Sequence, residues 1–517
     1  MDAPILTGSQ RLESNARFVH VSPRLRRAHL VGVAGSGMRA LADVLAGWGW
    51  RLSGSDSSAT GGRWFEGHAA EQLSPETELV ISSDAVPAAN PELRRAAELG
   101  IPTVSYFQML GRLSADRRTL AIAGTHGKST TTGMAAHLLI EAGCDPTVFC
   151  GAAPLGKTSG GRAGCLGPQS SRHTPCAVRS VLDAVRPSSE RHTECACYDN
   201  DLMLVEACEY RANFLHLRPR HALILGIESD HFDCYGSLQQ IEAAFQQFAA
   251  SVPADGLVLA RHDCPSTRRV IAGLTCRVET FGFDPDADWS ADSLAEESGL
   301  FRFGVCHEGR KVCDVRLSVP GRHNVLNALA AAALACENGL SGQQVAAGLA
   351  GFPGLQRRLE MRGLWRGATL IDDYAHHPTE VAAALAAVRG LFPRRRVWCV
   401  FQPHQVSRTE RLLDELAESL QNADKVLVSE IFRAREGGPR PGEVTAADLA
   451  RQARAGGVEV LPARTDEEIR RTLENRLAPG DVLIVMGAGD TAGLWPEMGG
   501  EGRETGDEES SEVAGSP

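Results

Sequence analysis

Short apolar runs recur along the whole chain, each followed by a longer stretch with a different rhythm. "AHLVGV", "LVISS", "TLAIAG", "LMLVEA", "ALILGI", "VWCVFQ", "KVLVSE" and "DVLIVMG" are rich in Val, Ile and Leu. Apolar runs of this length predict buried strands of parallel sheets. Between many of them lie stretches such as 379–388 and 409–420, whose apolar residues fall at helical spacing. Strand–helix alternation of this kind predicts an α/β protein. One segment breaks the pattern. From Lys157 to Asn200 the chain is mostly Gly, Ser, Pro, Arg and His, and only "AVRSVLDAV" reads as a helix. A loop this long inside a compact domain is functional or disordered.

Composition narrows the function classes. The chain has 517 residues, 43% hydrophobic and 23% charged, as expected of an ordinary globular protein of about two to four domains. Net charge is −11. The tail from Pro496 to Pro517 holds Glu497, Glu501, Glu504, Asp507, Glu508, Glu509 and Glu512 against Arg503, and reads as disordered. The mildly acidic remainder gives no electrostatic footprint for nucleic acid. No apolar stretch approaches the roughly 18 residues a membrane span needs. The N-terminus has no signal-peptide core, so the 14 cysteines are expected to be reduced in the cytoplasm. Those of the 157–200 segment, Cys165, Cys176, Cys195 and Cys197 with His173 and His192, do not repeat a zinc-finger spacing.

"TLAIAGTHGKSTTTG" carries the first chemistry. A strand runs into Gly124-Thr125-His126-Gly127 and then into a helix opened by Lys128, Ser129 and Thr130. Free N–H groups at a helix start favour an anion, Lys128 can reach phosphates, and the Ser129 hydroxyl can ligate magnesium. The general phosphate loop would place its first glycine at Ile122; here it stands two residues later, which points to a specialised nucleotide site. A second glycine cluster, "GVAGSGM", follows the first strand. It departs from the dinucleotide fingerprint at Ala34, with Gly32, Gly35 and Gly37 around it and Asp56 beyond the next strand. A dehydrogenase would not need Lys128; a diphosphate-containing substrate, separate from ATP, accounts for both clusters.

Further polar groups stand at strand ends, where α/β ligand sites gather. Glu206 ends "LMLVE", and Glu228, Asp230, His231 and Asp233 follow "LILGI". A carboxylate and an imidazole there can hold magnesium with phosphate oxygens. His323, Asn324 and Asn327 open a helix of small residues. Asn324 is an N-cap by composition, and the two amides share one face. "IDDYAHHPTEV" and "FQPHQVSRTE" repeat the arrangement, the second with His404 and Arg408.

Taken in order, "GVAGSGM", "SGSD", "GTHGKSTTT", "FLHLRP", "ESDH", "VPGRHNVLNALAA", "DDYAHHPTEV" and "FQPHQVSRT" resemble the Mur ligase family. These are ATP-dependent ligases that build the peptide stem of the bacterial cell wall, and the likeness is to the alanine-adding branch. It runs from about His29 to about Gly489.

The resemblance implies an α/β protein of three domains. A Rossmann-like UDP-sugar domain (26–117) follows an arm (1–25). A P-loop ATPase domain with a parallel-rich sheet (118–354) carries the 157–200 insertion. A Rossmann-like ligase domain (355–495) precedes the tail. The implied reaction uses ATP and Mg2+ to activate the lactyl carboxylate of UDP-N-acetylmuramate as an acyl phosphate, which L-alanine then attacks.

Residue roles carry over by motif. Gly124 to Thr130, His323, Asn324, Asn327, Arg358 and Asp373 would bind ATP. Lys128, Glu206, His231, Arg358 and Asp373 would be catalytic, and Ser129, Glu206 and His231 would hold metal. Gly32, Gly35, Gly37, Met38, Asp56, Ser82 and Ser83 would bind the UDP-sugar, and His376 and Arg408 the amino acid. Four positions depart from the family pattern: Ala34 for glycine, Cys208 for an acid, Gly226 for asparagine and Gln405 for arginine. Two rival readings remain: a recycling ligase that attaches a whole tripeptide, and a non-catalytic nucleotide-sugar sensor.

Overall fold

A computed structural model describes residues 27–58, 63–164, 201–463 and 465–495. The N-terminal arm, the acidic tail, the "AVRSVLDAV" stretch and the cysteines and histidines of the long segment lie outside the described residues. Each domain is built on its own sheet. The first contains β1 (Arg27–Val31), β2 (Arg51–Asp56), β3 (Phe65–Glu66), β4 (Leu79–Ser82) and β5 (Thr103–Ser105), in the order β3-β2-β1-β4-β5 and parallel throughout. Order reverses at β1, so a crevice opens beyond the ends of β1 and β4.

The central sheet has ten strands: β6 (Arg118–Ala123), β7 (Thr147–Phe149), β8 (Gly161–Arg162), β9 (Leu202–Glu206), β10 (His221–Ile224), β11 (Leu257–Arg261), β12 (Arg277–Gly282), β13 (Trp289–Glu297), β14 (Leu300–His307) and β15 (Arg310–Arg316). Their order is β15-β14-β13-β12-β11-β10-β6-β9-β7-β8. The middle strands are parallel and buried except at one end residue each, which is why they read as unbroken apolar runs. The antiparallel extension β13–β15 was not legible that way, because β13 turns a mostly exposed, acidic stretch outward. The helix Arg322–Glu337 is buried nearly all round, Asn327 to Ala335 being almost without exposure. Its alanines let it lie close against the helix Lys128–Glu141, which it contacts extensively.

The third sheet holds β16 (Glu360–Trp365), β17 (Ala368–Asp373), β18 (Val397–Phe401), β19 (Lys425–Val428) and β20 (Val482–Met486), in the order β16-β17-β20-β18-β19, with β16 alone antiparallel.

Two expectations are corrected. The 409–420 helix is broken: Val406–Arg411 and Leu413–Ser419 meet at Leu412 (φ −117°, ψ 28°), and a 3-10 turn follows. The break lets the neighbours Leu412 and Leu413 both pack on the core beneath. The long segment is also not all loop. Gly161–Arg162 form β8 on the edge of the central sheet, and Gly164 O accepts a 2.9 Å hydrogen bond from Trp48 Nε1 of the first domain. Among the described residues no helix is long and apolar enough to cross a membrane.

Candidate active site

The phosphate loop leaves the C-terminal end of β6 and enters the helix Lys128–Glu141 through Gly127, which caps it at φ +80°. A Cβ at Gly127 would sit 2.4 Å from Asn327 Oδ1, so only glycine allows the loop this close to the buried amide pair. Asn327 Nδ2 donates to Asn324 Oδ1 (3.0 Å), and Asn324 Nδ2 donates to Pro320 O (2.7 Å). The two amides therefore share a face as expected, but Asn324 is not the N-cap. Gly321 is, and Asn324 lies inside the helix. The loop is stitched to the end of β10, where Thr125 N donates to Gly226 O (2.9 Å) and Glu228 N to Thr125 Oγ1 (2.9 Å).

Lys128 folds back over its own loop. Its Nζ donates to Thr125 O (3.0 Å) and to Glu209 Oε1 (2.9 Å). Burial alone would lower the Lys128 pKa; Glu209 holds it above the ordinary value. Glu209, 2% exposed, also accepts from His231 Nε2 (3.1 Å). Burial would raise its pKa, yet Lys128 and His231 bring it below normal. Glu209 carries no motif that marks it in the sequence, which shows only the neighbouring Cys208 in place of an acid. The carboxylate facing Lys128 is supplied one residue later.

Glu206, at the end of β9, accepts from Ser129 Oγ (3.0 Å) and Gly151 N (2.7 Å). Arg358 Nη2 reaches Ser129 Oγ at 3.4 Å. Two oxygen donors at this separation suit magnesium, which would take its further oxygens from the phosphates of a bound nucleotide. His231, at φ +53°, is brought beside Glu209 on the same side of the loop.

A pocket runs from this loop to the third domain, lined by His126, Gly127, Thr130, His323, Asn324, Asn327, Arg358 and Asp373 together with Glu228, Thr379 and Glu380. Burial pushes the His323 pKa down to about 4, so its ring is neutral there. Asp373 accepts from Leu359 N (2.7 Å) and Ala375 N (2.7 Å), which fixes the chain at the hinge. Burial pushes its pKa up to about 6, against the opposing Arg358 charge.

At the first sheet, Asp56 Oδ2 accepts from Ala34 N (2.8 Å) and Oδ1 from Ser58 Oγ (2.8 Å), so this acid holds the glycine loop in shape. Gly37 lies against Tyr106, and a Cβ there would be 2.9 Å from the ring. Gly32, Gly35, Ser82 and Ser83 gather at the ends of β1 and β4, with Ser83 N donating to Val31 O (2.9 Å). Met38 does not join them by its side chain; at 3% exposure it packs in the core.

His376 and Arg408 are brought together at the ends of β17 and β18. The His376 and His404 rings lie 5.5 Å apart, and Arg408 Nη1 is 2.8 Å from His404 Nδ1. Arg408 is not a surface arginine. It is 3% exposed and pairs with Asp230 of the central domain, Nη2 to Oδ1 2.6 Å and Nε to Oδ1 2.9 Å. Gln405 is turned into this region at φ +69° and is buried.

Three family descriptions match the chain in sequence order: "Mur ligase family, catalytic domain" over residues 27–118, "Mur ligase middle domain" over 122–335 and "Mur ligase, glutamate ligase domain" over 357–489. A UDP-N-acetylmuramate–L-alanine ligase of Salinibacter ruber is 38% identical over 479 residues, covering 90% of this chain and 93% of its own. One of Clostridium novyi is 35% identical, covering 90% and 95%. Among solved structures, a UDP-N-acetylmuramate–alanine ligase of Thermotoga maritima superposes with a TM-score of 0.70 at 25% identity, covering 90% of this chain and 96% of that one. A murein peptide ligase of Psychrobacter arcticus gives 0.63 at 25% identity, covering 91% and 97%. Sheets, phosphate loop and matched spans agree along the chain, which belongs to the Mur ligase family.

Proposed function

We propose that this protein joins L-alanine to the lactyl carboxylate of UDP-N-acetylmuramate at the expense of ATP, within cytoplasmic synthesis of the peptidoglycan precursor. The observation that carries the reading is a single interdomain pocket. His126, Gly127 and Thr130 of the phosphate loop and the amide pair line its central-domain side, and Asp373, Thr379 and Glu380 line it from the third domain, with His376 and Arg408 nearby at the ends of β17 and β18. The named activity of relatives at up to 38% identity supports the substrates.

The chain's own residues account for the chemistry. A carboxylate resists attack by an amine until it carries a leaving group. In the first step a lactyl oxygen attacks the γ-phosphorus of ATP and ADP leaves. Lys128 and Arg358 neutralise charge on the transferring phosphoryl group, Lys128 moving off Glu209 to do so. Ser129, Glu206 and His231 would hold magnesium, which supplies further positive charge at the phosphates. In the second step the alanine amine attacks the acyl carbon and inorganic phosphate leaves with its bonding pair. His376 is held neutral by burial, and its Nδ1 is turned to Tyr374 O (3.0 Å). Its Nε2 is thus the side that can take the amine proton. Arg408 would meet the alanine carboxylate by giving up part of its pair with Asp230, its planar fork fitting that group. The domain limits 26–117, 118–354 and 355–495 belong to this proposal.

The acyl phosphate gives a direct test. Enzyme, UDP-N-acetylmuramate and Mg-ATP with hydroxylamine in place of alanine should yield the sugar hydroxamate and stoichiometric ADP. ADP release without the sugar, or no hydroxamate, would contradict the mechanism.

A further inference from the structure

Three groups beside the phosphate loop are drawn together across the two domains. His126 comes from the phosphate loop, Glu228 from the loop after β10, and His377 from the third domain, where it caps the helix Pro378–Leu391. One candidate ligand atom from each lies within 4.8 Å of the others. His126 Nε2 stands 3.4 Å from Glu228 Oε2, and His377 Nδ1 4.0 Å from the same oxygen. His126 Nε2, the nitrogen that faces Glu228, has no hydrogen-bond partner although it is shut off from solvent. We propose that His126, Glu228 and His377 form a binding site for a zinc-class divalent ion, and that the ion pins the two domains together and competes with ATP. The competition rests on the placement of ATP in this pocket.

The surroundings are those of a metal site. His126 Nδ1 faces Glu380 Oε1 at 3.1 Å, the carboxylate–imidazole arrangement that orients a metal-bound histidine and leaves its other nitrogen for the ion. Thr379 Oγ1 donates to Glu228 Oε2 (2.7 Å) and fixes the carboxylate. His377 Nδ1 receives only a long 3.4 Å bond from Thr379 N, so an ion there displaces little. Two imidazoles and one carboxylate suit zinc, whereas magnesium prefers oxygen ligands.

The test uses the full chain, freed of nucleotide and metal, titrated with Co2+ as a visible probe and Zn2+ as competitor. One equivalent should give a Co2+ spectrum that Zn2+ abolishes. His377→Asn keeps an acceptor at the cap and should weaken binding tenfold or more. So should Glu228→Gln, with melting curves of both variants showing that they fold. Mg-ATP should weaken metal binding in the wild type. Uptake that neither variant alters would overturn the site, and would place the metal elsewhere, as in the cysteine-bearing segment. Variant-sensitive uptake indifferent to Mg-ATP would overturn the competition and the nucleotide placement while leaving the site. ATP binding that persists with no variant-sensitive uptake would overturn the site alone.

Discussion

Arg408 and Asp230, 178 positions apart, form a buried ion pair between the third and central domains, with Nη2 2.6 Å from Oδ1. Neither side chain is more than a few per cent exposed, so each depends on the other for neutralisation. The pair ties the amino-acid end of the site to the loop that carries His231.

Arg408→Ala should weaken the apparent affinity for alanine by one to two powers of ten, from losing about 1.5–3 kcal/mol of charged hydrogen bonding. Affinities for ATP and the UDP-sugar should move less, while the fold loses about 3–5 kcal/mol because Asp230 is left buried without its partner. Steady-state kinetics varying each substrate measures this. An equal loss for all three would assign the pair to domain docking alone.

Glu209→Gln should lower kcat by about tenfold to a hundredfold, because Lys128 and His231 lose the charged acceptor they share. Lys128→Ala should cost about a thousandfold or more with the fold intact. Comparing kcat and circular dichroism of the two variants tests the order. A Glu209→Gln enzyme at wild-type rate would make Glu209 a passive neighbour.

Domain closure should depend on pH through His126. Its pKa in the closed form is about 9, raised by Glu380 and Glu228 against the effect of burial. Glu228 belongs to the same domain as His126, so only the Glu380 contact ties this protonation to closure: it favours the closed form while His126 is protonated and weakens as pH rises toward about 9. Glu228 and Glu380, whose pKa values are depressed, act oppositely: their contribution is lost as pH falls below about 4.5. Small-angle scattering should therefore find the closed form less populated as pH rises toward about 9 and as it falls below about 4.5. His126→Gln should flatten the alkaline limb.

Gly37→Ala should raise KM for the UDP-sugar and leave ATP binding unchanged, since the new methyl would meet the Tyr106 ring at 2.9 Å. Calorimetry with each nucleotide separates the two effects.

The parallel strands and the phosphate loop were legible because burial on both faces and an anion site at a helix start leave local marks in sequence. β13–β15 were not, since their pattern of charge resembles loop. Glu209 and Glu380 were overlooked for another reason. Their partners Lys128, His231 and His126 are remote in sequence, and only folding brings them within hydrogen-bond reach. Arg408 was recognised as functional by motif, but its partner Asp230 lies in another domain. The Asn324 reading failed because Gly321 can take the capping conformation at φ +98°, which moves the helix start back.

The most direct test of the central claim is the mass of the product. Purified protein with UDP-N-acetylmuramate, Mg-ATP and each of the twenty amino acids in turn should give UDP-N-acetylmuramoyl-L-alanine, heavier than the sugar by one alanine residue, with one ADP per product. Turnover only with a tripeptide, or binding of sugar and ATP with no product from any amino acid, would contradict it.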